Sequence, residues 1–128
     1  MADHRKRVAV IDDEAAIGEL VHRVLVGDYD VDVYVDVEPF LATLEEGRSY
    51  DAILCDLYMQ GISGGEIYET LAERWADQAR VMIFMSGVSA AEVEKSIPTE
   101  APRYIIEKPF EMEGLKAMVH RVVSGDER

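Results

Sequence analysis

Apolar residues along the chain alternate between short unbroken runs and stripes at helical spacing. Val8-Ala9-Val10-Ile11 is a strand-length run that ends in two acids, Asp12 and Asp13. From Glu14 to Val26 the large apolar residues Ile17, Leu20, Val21, Val24 and Leu25 recur at i, i+3 and i+4, which predicts an amphipathic helix stopped at Gly27. Val31, Val33 and Val35 then alternate with Asp32, Tyr34 and Asp36, the period of an edge strand with one face wetter than the other. Pro39 suits the first turn of a second helix that buries Phe40, Leu41 and Leu44 and ends at Gly47.

Ala52 to Cys55 is apolar throughout and runs into Asp56, as a buried central strand would. Ile67, Leu71 and Trp75 predict a third helix over about 64–75. Val81-Met82-Ile83-Phe84-Met85 reads as a strand covered on both faces and closed by Ser86-Gly87. Ala90 to Ile97 predicts a weak, mobile helix anchored only by Val93 and Ile97, with Pro98 and Pro102 closing the region. Tyr104-Ile105-Ile106 is a last short strand, and Lys108-Pro109-Phe110 leads into a helix carrying Leu115, Met118, Val119 and Val122. Residues 124–128 are expected to fray.

Five strands alternating with five helices predict an α/β fold: one parallel sheet with helices on both faces and right-handed crossovers. The 2-1-3-4-5 strand order accommodates the alternating second strand at an edge. At 128 residues, with 48% hydrophobic and 30% charged positions, the chain is expected to be a single domain over 1–128, with its core at about 6–123. No apolar run nears the roughly 20 residues of a membrane span, and the polar start at Met1 to Arg7 has no secretory apolar segment, so a cytoplasmic protein without membrane insertion is expected.

The net charge of −13 opposes direct nucleic-acid binding and favours a protein partner. The single cysteine, Cys55, lies within the apolar run and reads as a buried structural thiol.

In the predicted sheet, Asp12 and Asp13 end the first strand, Asp56 the third and Ser86 the fourth, and Lys108 follows the fifth. All therefore gather at one edge, where open α/β sheets place their chemistry. An acid, serine or lysine taken singly would be a turn or surface residue; together they form a crowded acidic site. Three neighbouring carboxylates repel one another unless some are protonated or a cation holds them. A hard divalent ion, Mg2+ or Mn2+, is the economical answer, with Lys108 as a point charge for a phosphoryl oxygen. His4, His22 and His120 lack metal-ligand spacing and read as surface or helix residues.

These motifs resemble the receiver domain of the two-component response regulators, over nearly the whole chain. The resemblance rests on Asp12-Asp13, on Asp56 within DLYMQGISG, on Ser86-Gly87 and on Lys108-Pro109-Phe110. It implies that Asp56 accepts a phosphoryl group from a phosphohistidine of a sensor histidine kinase or histidine phosphotransfer protein. Asp13, Asp56 and the Tyr58 backbone carbonyl would bind magnesium directly, with Asp12 acting largely through water. Lys108 and Ser86 would contact the phosphoryl oxygens. Phosphorylation would switch a surface read by a downstream protein target in bacterial signalling. The domain would be a phosphoacceptor rather than an enzyme, with self-phosphorylation from small donors and self-dephosphorylation.

Three departures from the family pattern stand out. Gln60 replaces a frequent proline, which predicts a less rigid loop after Asp56. Ile105 stands where an aromatic switch residue is usual, with Tyr104 one position earlier. Tyr58 and Val88, at the positions that tune hydrolysis, offer neither carboxylate nor amide to orient water. FMSG and EKPF look like receivers attached to hybrid histidine kinases, so the chain is expected to be either a single-domain regulator or a receiver cut from a longer protein. The competing reading is a small magnesium-dependent phosphatase or a flavodoxin-like cofactor binder. It is weakened because Asp12-Asp13-Glu14-Ala15-Ala16 lacks a glycine-rich phosphate cradle.

Overall fold

A computed structural model describes residues 5–125. In chain order the elements are β1 (Arg7–Ile11), α1 (Ala15–Leu25), β2 (Asp30–Tyr34), α2 (Val37–Glu45), β3 (Ala52–Asp56), β4 (Tyr58–Met59), β5 (Ile62–Ser63), α3 (Gly64–Arg74), α4 (Ala76–Ala79), β6 (Met82–Ser86), α5 (Ala90–Glu94), β7 (Ile105–Glu107) and α6 (Met112–Val123). The main sheet is parallel throughout, in the order β2-β1-β3-β6-β7. This is the expected doubly wound order, since β4 and β5 form a separate antiparallel hairpin.

The central strands are apolar without alternation because both their faces are covered. Ala9, Ile11, Ile53, Cys55, Met82 and Phe84 pack with residues of α2, α3 and α5. Val8, Val10, Leu54, Ile83 and Met85 pack with residues of α1 and α6. Burying one such large side chain contributes about 1.5–3 kcal/mol, so the two layers fix the sheet firmly enough to hold polar groups at its rim. Cys55 is buried and free, as its place in the run implies. Burial, with the charges of Asp56 and Asp12, pushes its thiol well above the ordinary range.

The structure corrects the sequence in several places. There are six helices among the described residues, not five. The third ends at Arg74 because Trp75 leaves helical geometry (φ −141°, ψ 71°), and α4 follows as a separate turn. That turn delivers the buried Gln78, whose Oε1 accepts from the Tyr50 N–H at 2.7 Å while its Nε2 donates to the Tyr50 carbonyl at 3.0 Å. A side-chain amide thus satisfies the backbone leading into β3. The fifth helix spans only Ala90–Glu94, yet Ile97 beyond it is buried as expected.

In β2 neither face is the wetter one. Val33 is exposed although its methyl faces the space a Cβ on Gly18 would fill, while Asp32 and Tyr34 are half-buried. Asp32 Oδ2 accepts from Arg48 at 2.8 Å and from the Tyr50 hydroxyl at 2.7 Å, and that hydroxyl also meets Tyr34's at 2.6 Å. His22 and His120 lie in α1 and α6; His4 and the last three of the residues expected to fray lie outside the described residues. No described helix is long and apolar enough to cross a membrane.

Candidate functional site

Each strand of a parallel sheet points its C-terminal end at the same rim. β1 delivers Asp12, fully buried, and the exposed Asp13; β3 delivers Asp56, 6% exposed. One oxygen from each of these carboxylates can lie within 4.8 Å of the others. Lys108, following β7, reaches across with Nζ 2.9 Å from Asp12 Oδ2, 3.4 Å from Asp56 Oδ1 and 3.7 Å from Glu14 Oε1. Its position is fixed by its own backbone N–H, which donates to the Ser86 carbonyl at 2.6 Å.

The local backbone explains why the carboxylates stand where they do. Asp12 Oδ1 accepts from the Glu14 N–H at 2.9 Å, so one oxygen shapes the turn into α1 and the other faces Lys108. After Asp56 the chain folds back through the β4–β5 hairpin, with Gly61 in the left-handed region at φ +86°, where a side chain would be strained. α3 then starts directly under the site. A Cβ on Gly64 would lie 3.2 Å from the Asp56 carbonyl oxygen and 3.1 Å from Leu57 Cα, so glycine permits that approach. A reciprocal capping box between Ser63 and Glu66 secures the helix start.

Three carboxylates against one ammonium leave the pocket negative. Burial raises Asp56 above the ordinary carboxylate value and the charge of Asp12 adds to this, against the opposing pull of Lys108 and a backbone hydrogen bond from Tyr58. For Lys108, burial pulls the ammonium down. The hydrogen bond and charge of Asp12, aided by Asp56, outweigh it, and the group is held above its ordinary value. The arrangement favours a proton or a cation among the carboxylates and presents Asp56 as a confined oxygen nucleophile.

Ser86 ends β6 one position beyond Met85, the register partner of Asp56, and is fully buried. Its Oγ accepts from the Val88 N–H at 3.0 Å, which leaves its own proton free to donate. Tyr58 extends from β4 with its ring half-exposed and its hydroxyl 2.8 Å from Ser96 Oγ; Val88 is also exposed, and a Cβ on Gly87 would meet nothing within 4 Å. Ile105 and Tyr104 lie on opposite sides of the sheet, the first against the α2–α3–α5 layer and the second against the α1–α6 layer.

Sequence reasoning missed three contributors. Gln60 was read only as a missing proline, but its N–H donates to Asp13 Oδ2 at 3.1 Å, a bond proline cannot make. The loop expected to be loose is therefore a hairpin tied to the carboxylate cluster. Glu14 adds a third acid near Lys108, and Glu107 accepts from the Ala90 N–H at 2.9 Å, tying α5 to β7. Glu14 is adjacent to Asp13 and could have been included from the sequence; the Glu107 contact depends on the fold.

Comparison with known proteins accords with this geometry. The response regulator receiver domain model matches residues 8–120. The hydrogenase transcriptional regulatory protein HoxA of Bradyrhizobium diazoefficiens is 34% identical over 117 residues, covering 91% of this chain and 24% of that protein. The DNA-binding response regulator MtrA of Mycobacterium tuberculosis is 29% identical over 116 residues, covering 90% of this chain and 49% of its own. The chain thus spans about a quarter to a half of the length of these curated relatives. Among solved structures, the chemotaxis response regulator CheY4 of Vibrio cholerae superposes with a TM-score of 0.78 at 21% identity, covering 91% of this chain and 98% of that one, and so shares the fold. The phosphatase and flavodoxin-like alternative is not favoured. With its five-stranded parallel sheet, its acidic rim and a family match over most of its length, the chain belongs to the response regulator receiver domain family.

Proposed function

We propose that this chain, as a single domain over 1–128, accepts a phosphoryl group on Asp56 from a phosphohistidine of a histidine kinase or phosphotransfer protein. The observation that carries the reading is Asp56 confined at the end of the central strand, with Lys108 Nζ 3.4 Å from Oδ1 and carboxylates of Asp12 and Asp13 beside it.

An Asp56 oxygen attacks phosphorus, the P–N bond breaks, and the imidazole nitrogen leaves with the electron pair and takes up a proton. Asp56 becomes an acyl phosphate. Transfer of this kind depends chiefly on positioning and charge neutralisation. Lys108 Nζ, already near Asp56 Oδ1, neutralises a phosphoryl oxygen. The Ser86 hydroxyl donates to another while its acceptor side stays satisfied by Val88.

The donor set fits a magnesium or manganese ion: three carboxylates with all-oxygen chemistry and excess negative charge. Asp13, Asp56 and the Tyr58 carbonyl would hold it, with Asp12 acting through water. When bound, it supplies charge neutralisation to the transferring phosphoryl group. Dephosphorylation then requires an oriented water, and neither Tyr58 nor Val88 supplies a carboxylate or amide for that. The phosphorylated surface is read by a downstream protein, in the cytoplasm; a chain of net charge −13 is a poor direct ligand for nucleic acid.

The test is incubation with acetyl phosphate and magnesium, followed by intact mass. Wild type should gain one phosphoryl group and Asp56→Asn none, while thermal melts should show magnesium stabilising wild type but not Asp13→Ala. Phosphorylation of Asp56→Asn to the same extent would sink the assignment.

A further inference from the structure

The three carboxylates of the rim are not held alike. Asp12 is fully buried and fixed at both oxygens, Oδ1 by the Glu14 N–H at 2.9 Å and Oδ2 by Lys108 Nζ at 2.9 Å. Asp56, buried at the end of β3, has Lys108 Nζ 3.4 Å from Oδ1 and a backbone hydrogen bond from Tyr58. Asp13 is exposed, and among the described residues the hydrogen bond its carboxylate accepts comes from the Gln60 N–H, at 3.1 Å to Oδ2. Repulsion from the neighbouring carboxylates drives an exposed acid out toward water. The Gln60 bond opposes that movement.

The geometry of the hairpin frees this donor. Met59 pairs with Ile62, so Gln60 and Gly61 are the central residues of the turn. Gly61 has φ +86° and no described residue other than glycine has positive φ, which is the sign pattern of a type II turn. Such a turn is closed by the N–H of its last residue, so the N–H of its second residue, here Gln60, takes no part in the turn's own hydrogen bond. That second position is also one that proline fits well, and proline would have no N–H to give.

From this we propose that Gln60 is a positioning residue for the metal: its backbone N–H holds Asp13 within reach of Asp12 and Asp56, so that the carboxylate set is assembled before the ion arrives. The inference rests on the reading of this rim as a magnesium-dependent phosphoacceptor site. An ionised carboxylate offers about four lone-pair sites, so one N–H leaves room for an ion. Hydrogen bonds to a charged acceptor are stronger than neutral ones. Outer-shell partners that orient a ligand commonly set metal affinity by about 10–100-fold, and because this bond is exposed to solvent the low end applies. The coupling is reciprocal: an N–H that favours the ion is favoured by the ion to the same degree.

Gln60→Pro tests this with little disturbance, because proline suits the second position of the turn and Met59 before it is already extended in β4. In EDTA the variant should melt at or near the wild-type temperature. In an amide chemical-shift titration of the full chain with magnesium chloride, its midpoint should lie about tenfold higher than that of wild type. Gln60→Ala, the conservative variant that keeps the N–H, should restore the wild-type midpoint. In wild type, magnesium should slow exchange of the Gln60 amide, a reading that needs no variant should Gln60→Pro fold poorly. Equal midpoints for wild type and Gln60→Pro, a Gln60→Ala midpoint displaced as far as that of Gln60→Pro, or a Gln60 amide whose exchange magnesium leaves unchanged would overturn the positioning role and leave the carboxylate site standing. A wild type that ignores magnesium would overturn both.

Discussion

The rim of the sheet is built in two ways. On the β1–β3 side, Asp12 and Asp56 end strands buried on both faces, α1 begins on a turn closed by Asp12 itself, and the hairpin after Asp56 is tied to Asp13 through Gln60. On the β6–β7 side, Ser86 leads into a loop and a five-residue helix whose large anchors are Val93 and, beyond its end, Ile97. That segment is held to the rest through single polar contacts: Glu107 to Ala90, Tyr58 to Ser96, and Ser86 to Val88. The three clustered carboxylates sit on the first side, while Ser86 and Lys108 reach the rim from the second. The second has few buried contacts and mostly exposed hydrogen bonds, the profile of a segment that opens at low free-energy cost.

The widest gap between the two sides should appear in the core. Leu54→Ala, at a fully buried position of β3, should cost about 2–5 kcal/mol of global stability. Val93→Ala removes less volume from a short element and should cost less globally, with its main effect a loss of amide protection confined to the α5 segment. Denaturant melts combined with hydrogen exchange read both. Equal global losses would mean that α5 belongs to the same cooperative unit as the sheet.

A smaller effect tests the electrostatics of the first side. Asp56 has its pKa raised in the folded protein, chiefly by burial and then by Asp12, so the native state holds that proton more tightly than the unfolded chain. Its contribution therefore favours folding at low pH and is lost as pH rises through the raised value, leaving a cost at neutrality. Asp56→Asn should remove that cost, making the variant as stable as wild type or more so at pH 7, with the advantage shrinking as the medium is acidified. Melts from about pH 4 to pH 8 follow the difference, and an advantage that grows on acidification would contradict this account of the site.

Sequence pattern revealed the first side well because its determinants are local. Unbroken apolar runs coincide with strands buried on both faces, and Asp12 and Asp56 each stand immediately beyond such a run, with Asp13 next in the chain. What escaped depends on distant partners. Trp75 fits the helical stripe through Ile67 and Leu71, yet the chain breaks there so that Gln78 can meet the Tyr50 backbone 28 residues away in sequence. The polar residues of β2 read as solvent-facing because Arg48 and Tyr50, which satisfy Asp32, belong to the next connection. The hairpin was closer to view, with Gly61 as its turn, but its tether is a backbone N–H visible only as the absence of proline at position 60.

The smallest expected effect concerns how the second side is read out. A phosphoryl group that draws the Ser86 hydroxyl toward it carries the bonded Val88 N–H with it and shifts the loop into α5, whose start is held by Glu107 Oε2 on the Ala90 N–H. Ile105 offers no hydroxyl to that loop, and Tyr104 packs on the other layer with Arg121 over its ring. The conformational signal should therefore travel through residues 86–97 rather than through an aromatic ring. Amide exchange with and without beryllofluoride, a phosphoryl mimic, makes the comparison across variants. Glu107→Gln, which keeps the shape but weakens a charge-assisted bond, should already loosen residues 90–94 before activation and so reduce the further change by a modest fraction. Tyr104→Ala should leave the change over 86–97 largely intact. If Tyr104→Ala abolishes it while Glu107→Gln leaves it untouched, the ring is the relay and the loop merely follows.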